Sequence, residues 1–143
     1  AYRVMLAAME EGADLSSLRA AVSAGETLPK PVYDDWIAKT GKPMLDGIGA
    51  TEMLHIFISN RFDDHRPACT GKPVGGYEAK VVDDEGNTVP DGEVGRLAVR
   101  GPTGCRYLND VRPGMLRMVG TSPATVLSAT RVAISTLPPA TTI

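Results

Sequence analysis

Residues 44–55 read MLDGIGATEMLH, and this stretch decides both the fold class and the chemistry open to the chain. Apolar Pro43, Met44 and Leu45 lead into two closely spaced glycines, which predicts a strand that ends in a loop. Strand ends of open α/β sheets are where ligands bind. The stretch therefore predicts an α/β fold with a ligand site at this turn.

The turn carries groups suited to a phosphate and a metal ion. Gly47 and Gly49 let a ligand approach the backbone closely and allow positive φ where the turn needs it. Thr51 offers a hydroxyl and a backbone N–H to a phosphate, and Glu52 offers a carboxylate of the kind that Mg²⁺ shares with substrate phosphates. On spacing alone, an ordinary loop with Thr51 and Glu52 at a helix start is an equal alternative. The lysine-bearing P-loop pattern is not present here.

Three stretches resemble the adenylate-forming acyl-CoA synthetases. LDGIGATEMLHIFIS at 45–59 resembles their Thr-Glu signature in the aryl-CoA ligase branch, and most nearly in its ligases for 2-aminobenzoate. VSAGETLP at 22–29 is similar to the family's adenine-side Gly-Glu loop, and GEVGRLAVRGPTGCRYL at 92–108 to its segment ahead of the hinge. The motifs keep the family's order over roughly residues 1–110, which favours the functional interpretation of the turn.

The resemblance implies a nucleotide site built from two of these motifs. Its predicted adenine-side residues are Gly25, Glu26 and Thr27 from the first motif, with Asp46, Gly47 and Ile48 from the second. Ile48 stands where many family members have an aromatic residue. Adenine would therefore rest on an aliphatic face and would not stack on a π-system.

The resemblance also implies catalytic and substrate-contacting residues. Thr51 would hold the AMP phosphate and Glu52 would bind Mg²⁺, and these two are the predicted catalytic residues. Gly49, Met53 and His55 would border a pocket for the aryl carboxylate. A single histidine on an apolar segment is more often a hydrogen-bonded structural residue than a catalytic one, so the role of His55 stays open.

The implied activity uses ATP, Mg²⁺ and CoA to convert an aromatic carboxylate into an acyl-adenylate and then a CoA thioester. The acid is of the 2-aminobenzoate or benzoate type. An alternative from another class is a non-catalytic nucleotide-binding or interaction module. Such a module would use Thr51 and Glu52 to bind ATP or AMP but would form no thioester.

Composition narrows the partners and the compartment. A chain of 143 residues with 43% hydrophobic and 22% charged residues is ordinary for one modest globular domain. Its formal net charge of −2 gives no reason to expect nucleic acid or an anionic membrane as a partner. We find neither a transmembrane-length apolar run nor a signal-peptide pattern, so we expect a cytoplasmic protein. Cys69 and Cys105 lie outside any CxxC arrangement and are expected to be buried thiols.

Local patterns predict a parallel α/β portion followed by a small antiparallel β unit. The predicted elements of the first portion are a helix over 2–11 stopped by Gly12, a strand over 18–24, a helix from Pro29 or Pro31 to Gly41, and strands at 44–45 and 56–58. A strand-helix-strand order implies a parallel pair. Residues 77–83 and 95–101 predict two strands joined through turn formers, with Arg96 and Arg100 on the solvent face.

These patterns give three predicted segments. Residues 1–60 are part of an α/β nucleotide-binding subdomain, residues 61–110 form a small β subdomain, and residues 111–143 form a tail. Together the first two are predicted to be a partial large domain of an adenylate-forming enzyme.

The tail differs in composition from the rest of the chain. All seventeen acidic residues lie before position 111, and residues 111–143 have no clear periodicity. A natural polar linker would explain this composition equally simply. Codons read from their third base permit GWNVTGD across Met118 to Thr125, a string that resembles the family's next motif. We hypothesise that a one-base loss or two-base gain near Asp110 made this tail an out-of-frame translation. The polypeptide as written is then expected to lack ligase activity by itself.

Overall fold

The computed structural model describes residues 1–9, 13–104 and 108, together with the backbone of residues 116–119 and 122–132. The chain forms two compact units, Ala1–Val74 and Gly75–Ile143. The predicted α/β class is confirmed, with a parallel strand pair in the first unit and an antiparallel sheet in the second. The functional boundaries after residues 60 and 110 stay predictions.

In its described residues, the first unit contains two α-helices, a short 3-10 turn and a four-stranded sheet. Its elements in chain order are α1 (Tyr2–Ala8), β1 (Ala21–Ser23), α2 (Lys30–Thr40), β2 (Met44–Gly49), a 3-10 turn (Thr51–Met53), β3 (Ile56–Ser59) and β4 (Lys72–Pro73). The strand order is β1-β2-β3-β4. The pair β1-β2 is parallel, and the other two pairs are antiparallel.

Helix α2 follows its proline and glycine signals, as predicted. Pro31 lies in the first turn, where proline costs no hydrogen bond. Gly41 ends the helix in the left-handed conformation, with φ of 63° and its N–H on the Ile37 carbonyl at 2.9 Å. Trp36 is 2% exposed, which confirms that it belongs to the core. The core of this unit also contains Leu6, Ala21, Leu28, Val32, Tyr33 and Met44.

Three predicted element boundaries were wrong. Helix α1 ends at Ala8 because Met9 is extended, whereas the prediction ran to residue 11; Gly12 lies outside the described residues. Strand β1 is limited to residues 21–23, the part that pairs with β2. Strand β2 continues to Gly49, so the predicted loop from Asp46 onward is a strand. Pairing with β3 extends it, a tertiary effect that local glycine content does not reveal.

The two glycines of β2 permit close strand packing, and neither adopts the positive φ that glycine allows. A Cβ on Gly47 would lie 2.7 Å from the Ile58 carbonyl oxygen, and one on Gly49 would lie 3.1 Å from the His55 carbonyl oxygen. Because the backbone of β3 and of the preceding residue His55 occupies the space of a side chain, only glycine permits this approach.

The second unit is an antiparallel sheet of order β5-β6-β8-β7. Its strands are β5 (Glu78–Val82), β6 (Gly95–Arg100), β7 (Leu116–Val119) and β8 (Ser122–Val132). The predicted β5-β6 pair is confirmed.

Two expectations about side chains needed correction. Arg96 and Arg100 are half-buried and form ion pairs with Asp84 and Glu78, so these arginines are not simply solvated. Cys69 is a half-buried free thiol, not a fully buried one, and Cys105 lies outside the described residues. Among the described residues, no helix has the length and apolar character needed to cross a membrane.

Candidate active site

The ends of β1 and β2 bring the first two sequence motifs together. In the parallel pair, Ser23 at the end of β1 is the register partner of Asp46. The chain leaves β1 directly into the predicted adenine-side loop, where Gly25 has φ of 93° and residues 25–27 are exposed. Asp46 is the last β2 residue paired with β1, so it lies beside that loop at the carboxyl end of the parallel pairing, where ligands bind in α/β sheets.

Asp46 is a buried acidic residue. Only 4% of it is exposed, and its Oδ1 has no hydrogen-bond partner in the described part of the chain. Burial raises the pKa of the Asp46 carboxyl, because desolvation disfavours the charged form. Hydrogen bonding by the Ser23 side chain and by the backbone N–H groups of Gly47 and Leu28 opposes this rise in pKa. One carboxylate oxygen is thus left ready for a donor.

Asp46→Asn is expected to raise the free energy of unfolding near neutral pH. The folded-state pKa lies above the unfolded one, so ionised Asp46 destabilises the fold, and this cost disappears when pH falls below the unfolded pKa. Urea unfolding of both proteins at several pH values measures the effect. The gain should shrink as the solution is acidified, and a gain that grew on acidification would contradict the assignment.

Ile48 lies two residues after Asp46 on strand β2. It is half-buried and is the antiparallel register partner of Ile58. Successive side chains on a strand point to opposite faces, so Asp46 and Ile48 share one face of β2, while Gly47 and Gly49 lie on the other. The structure therefore brings the predicted aliphatic face and the buried carboxylate onto one side of the same strand.

Thr51 and Glu52 begin the 3-10 turn that follows β2. Thr51 is exposed, Glu52 is half-buried, and Met53 is 1% exposed and anchors the turn in the interior. As the alternative interpretation predicted, Thr51 and Glu52 begin a helical segment. This segment is a 3-10 helix of only three residues, and its N-cap is Ala50. So short a turn provides little dipole to favour the Glu52 carboxylate.

The remaining predicted substrate residues lie where the turn joins β3. Leu54 has φ of 67°, a left-handed conformation that is uncommon for a residue with a side chain and reverses the chain toward β3. The reversal brings the His55 backbone against Gly49, while His55 itself is exposed. Gly49 and His55 are therefore neighbours, whereas Met53 is an interior residue.

The carboxylate of Glu52 is the group in this turn that could hold a cation. No cluster of three or more His, Cys, Asp or Glu side chains suited to a metal occurs among the described residues. A single carboxylate nevertheless fits Mg²⁺, which commonly binds one or two protein carboxylates together with substrate phosphates and water. The donor set therefore fits a magnesium ion that arrives with a nucleotide.

Two residues near the site were missed by sequence reasoning. Asn60 is 5% exposed; its N–H donates to the Asp46 carbonyl at 2.9 Å, and its Nδ2 donates to the Cys69 carbonyl at 2.6 Å. Asn60 thus fixes the end of β3 against β2 and closes the loop that returns to β4. Ser23 is the other, because only the strand register places it beside Asp46. Asn60 is the second polar residue after the apolar run 56–58, following Ser59, and nothing in the local sequence distinguishes it.

Comparison with known proteins identifies the family of this chain. The sequence profile of the AMP-binding enzyme family matches residues 1–107. The chain belongs to this family. It is 48% identical over 87 residues to a benzoate–CoA ligase of Thauera aromatica, and 48% identical over 89 residues to an anthranilate–CoA ligase of Pseudomonas aeruginosa. These alignments cover 60% and 62% of the chain, but only 16% and 17% of the relatives.

Solved structures of the same family share the fold. The anthranilate CoA ligase AuaEII, solved in complex with anthranoyl-AMP, aligns with a TM-score of 0.72 and 40% identity. A benzoate CoA ligase from Burkholderia xenovorans LB400 aligns with a TM-score of 0.68 and 35% identity. Each alignment covers 87% of this chain, and 27% and 29% of the respective structures. The predicted membership in the adenylate-forming enzymes and the partial large-domain fold are confirmed.

Proposed function

We propose that the chain is part of an aryl-CoA ligase that activates an aromatic carboxylate with ATP and transfers the acyl group to CoA. The observation that carries this proposal is the buried Asp46 carboxylate, with its unpaired Oδ1, beside the loop that follows β1. Family membership and the aryl acids in the relatives' names support the same activity. A cytoplasmic location stays a prediction from the sequence.

The proposed reaction has two steps. An aryl carboxylate displaces pyrophosphate from ATP, and the thiol of CoA then displaces AMP. In this chain, residues 25–27 and Ile48 would flank the adenine, Asp46 would accept a hydrogen bond from its amino group, and Thr51 would donate to the α-phosphate. Magnesium, when bound, supplies charge neutralisation on the phosphates. Glu52 is the residue proposed to hold that ion.

The acid is proposed to bind beside Gly49 and His55, above the buried Met53. An amino substituent on the ring needs an acceptor, because a buried unpaired donor costs about 1–3 kcal/mol. The exposed imidazole of His55 could accept from it, which would favour 2-aminobenzoate. Benzoate needs no such acceptor and is the alternative substrate.

The product of the complete gene is expected to form a CoA thioester from benzoate or 2-aminobenzoate, with release of AMP and pyrophosphate. The 143-residue chain alone is expected to bind ATP but to form no thioester, because its alignments cover only 16% and 17% of these relatives. Calorimetric titration with ATP and a thioester assay measure the two activities. Binding without thioester formation by the complete product would favour a nucleotide-binding module, and loss of both would contradict the proposal.

We also propose that residues 111–143 are an out-of-frame tail. The family profile ends at residue 107, which supports a change of character near that point. Strands β7 and β8 are compatible with this proposal, since a valine- and threonine-rich segment favours extended backbone whatever its origin. The coding DNA tests the proposal directly, because one shift near Asp110 must restore the GWNVTGD string.

A further inference from the structure

We propose that Ser23 is a positioning residue that acts through Asp46 and makes the nucleotide site selective for a purine with an exocyclic amino group. This inference rests on the function proposed above and goes beyond it, because Ser23 belongs to β1 and is not one of the residues assigned to the ligand. It concerns how the carboxylate is oriented and how its charge is maintained.

The strand register places the two side chains together. Ser23 and Asp46 are register partners in the parallel pair β1-β2, and neighbouring strands lie about 4.8 Å apart. Register partners point to the same face of a sheet, so the Ser23 hydroxyl and the Asp46 carboxylate are adjacent on that face. Ser23 is half-buried and Asp46 is buried, which limits the access of water to the pair.

The two carboxylate oxygens of Asp46 differ in their surroundings. Hydrogen bonding to the carboxylate comes from the Ser23 side chain and from the backbone N–H groups of Gly47 and Leu28, yet Oδ1 has no partner in the described part of the chain. On the other side of β2, the Asn60 N–H is already committed to the Asp46 carbonyl. Buried acceptors are normally paired, and we assign the missing donor to the bound nucleotide.

The chemistry of that donor follows from the carboxylate. An ionised carboxylate only accepts hydrogen bonds, so it favours an amino group on the base and repels a carbonyl oxygen at the same place. Burial favours the protonated acid, which could donate to a carbonyl instead. The Ser23 hydroxyl stabilises the ionised form and fixes its orientation, and selectivity for the amino-bearing purine depends on both effects.

Nucleotide titration of serine variants tests this role. The wild-type chain, Ser23→Ala and Ser59→Ala are titrated with ATP and with inosine triphosphate, which has a carbonyl in place of the amino group. Ser59 is a matched control because it lies on the other neighbour of β2, is half-buried and donates to the Asn60 carbonyl. Ser23→Ala should reduce the preference for ATP roughly three- to tenfold, while Ser59→Ala should retain it.

A direct readout on Asp46 accompanies the titration. Carboxyl-carbon NMR should show a higher pKa for Asp46 in Ser23→Ala than in the wild type or Ser59→Ala, because a hydrogen bond that lowers this pKa has been removed. Ser23→Thr and Ser23→Val form a second pair of similar size. Threonine should restore both properties, and valine should not.

The outcomes separate this inference from the proposed function. If the wild-type chain binds ATP but Ser23→Ala and Ser23→Val leave the nucleotide preference or the Asp46 pKa unchanged, the inference is overturned and the proposed function stands. If the folded wild-type chain binds neither nucleotide, the proposed function fails and the inference fails with it. Joint changes in the preference and the pKa, restored by threonine, support it.

Discussion

Gly71→Ala is expected to lower the free energy of unfolding by more than about 4 kcal/mol, the range reached when a substitution forces backbone apart. Gly71 has φ of 88°, and a Cβ built there would lie 2.1 Å from the carbonyl oxygen and 2.2 Å from the carbonyl carbon of Ser59. Both contacts are with backbone, so no side-chain rotation relieves them. Strand β4 begins at the next residue and would have to separate from β3.

Gly92→Ala is the matched control for this prediction. Gly92 also has φ of 88°, but a Cβ there meets nothing within 4 Å. Its substitution should therefore cost only the strain of left-handed backbone, about 1–2 kcal/mol. Urea unfolding of both variants gives the difference, which isolates the steric contact with Ser59. Equal losses in the two variants would show that the β3-β4 loop relaxes at little cost.

The sequence predicted those parts of the fold whose signals are local. Proline and glycine delimit α2, and the strand-helix-strand order implies the parallel pair β1-β2. Turn formers between two alternating segments predicted the β5-β6 hairpin. Each of these features follows from a few neighbouring residues, so one chain suffices to recognise it.

The features that the sequence missed depend on partners far along the chain. The two glycines of β2 suggested a turn, but β3 pairs with them and makes them strand residues that permit close backbone contact. Asn60 gave no sign that it would hold both Asp46 and Cys69. Local propensity cannot reveal such pairings, because the tertiary neighbour decides them.

In the candidate site, too, some features could be predicted from local sequence and others depend on the fold. The identities of Thr51, Glu52 and the adenine-side loop came from the resemblance of short motifs, and their roles stay proposals. The state of Asp46 required the fold, because its burial, its unpaired oxygen and its pairing with β1 are properties of the folded chain. A sequence motif can thus identify the side chains of a site, whereas their burial and pKa values depend on the folded structure.

Glu52→Gln is expected to reduce adenylate formation by the complete gene product roughly a hundredfold or more, since metal charge on a phosphoryl group is worth several kcal/mol. Glutamine keeps the size of the side chain but removes the negative charge that we propose for Mg²⁺. Glu52 is half-buried and its neighbour Met53 is buried in the interior, so the backbone that carries the Glu52 carboxylate is held in place. Pyrophosphate exchange at several magnesium concentrations measures the loss.

A magnesium titration distinguishes the proposed metal role from a structural one. If Glu52 holds the ion, the variant should need a higher magnesium concentration for half-maximal exchange, while its thermal unfolding midpoint stays close to that of the wild type. Asp35→Asn is the control, because Asp35 is an exposed carboxylate on α2 and its neutralisation changes the net charge by the same amount. Equal magnesium requirements in the wild type, Glu52→Gln and Asp35→Asn would show that Glu52 does not bind the metal ion. The turn after β2 would then contribute through Thr51 alone, and the cation would have to be bound by phosphates and by carboxylates elsewhere in the enzyme.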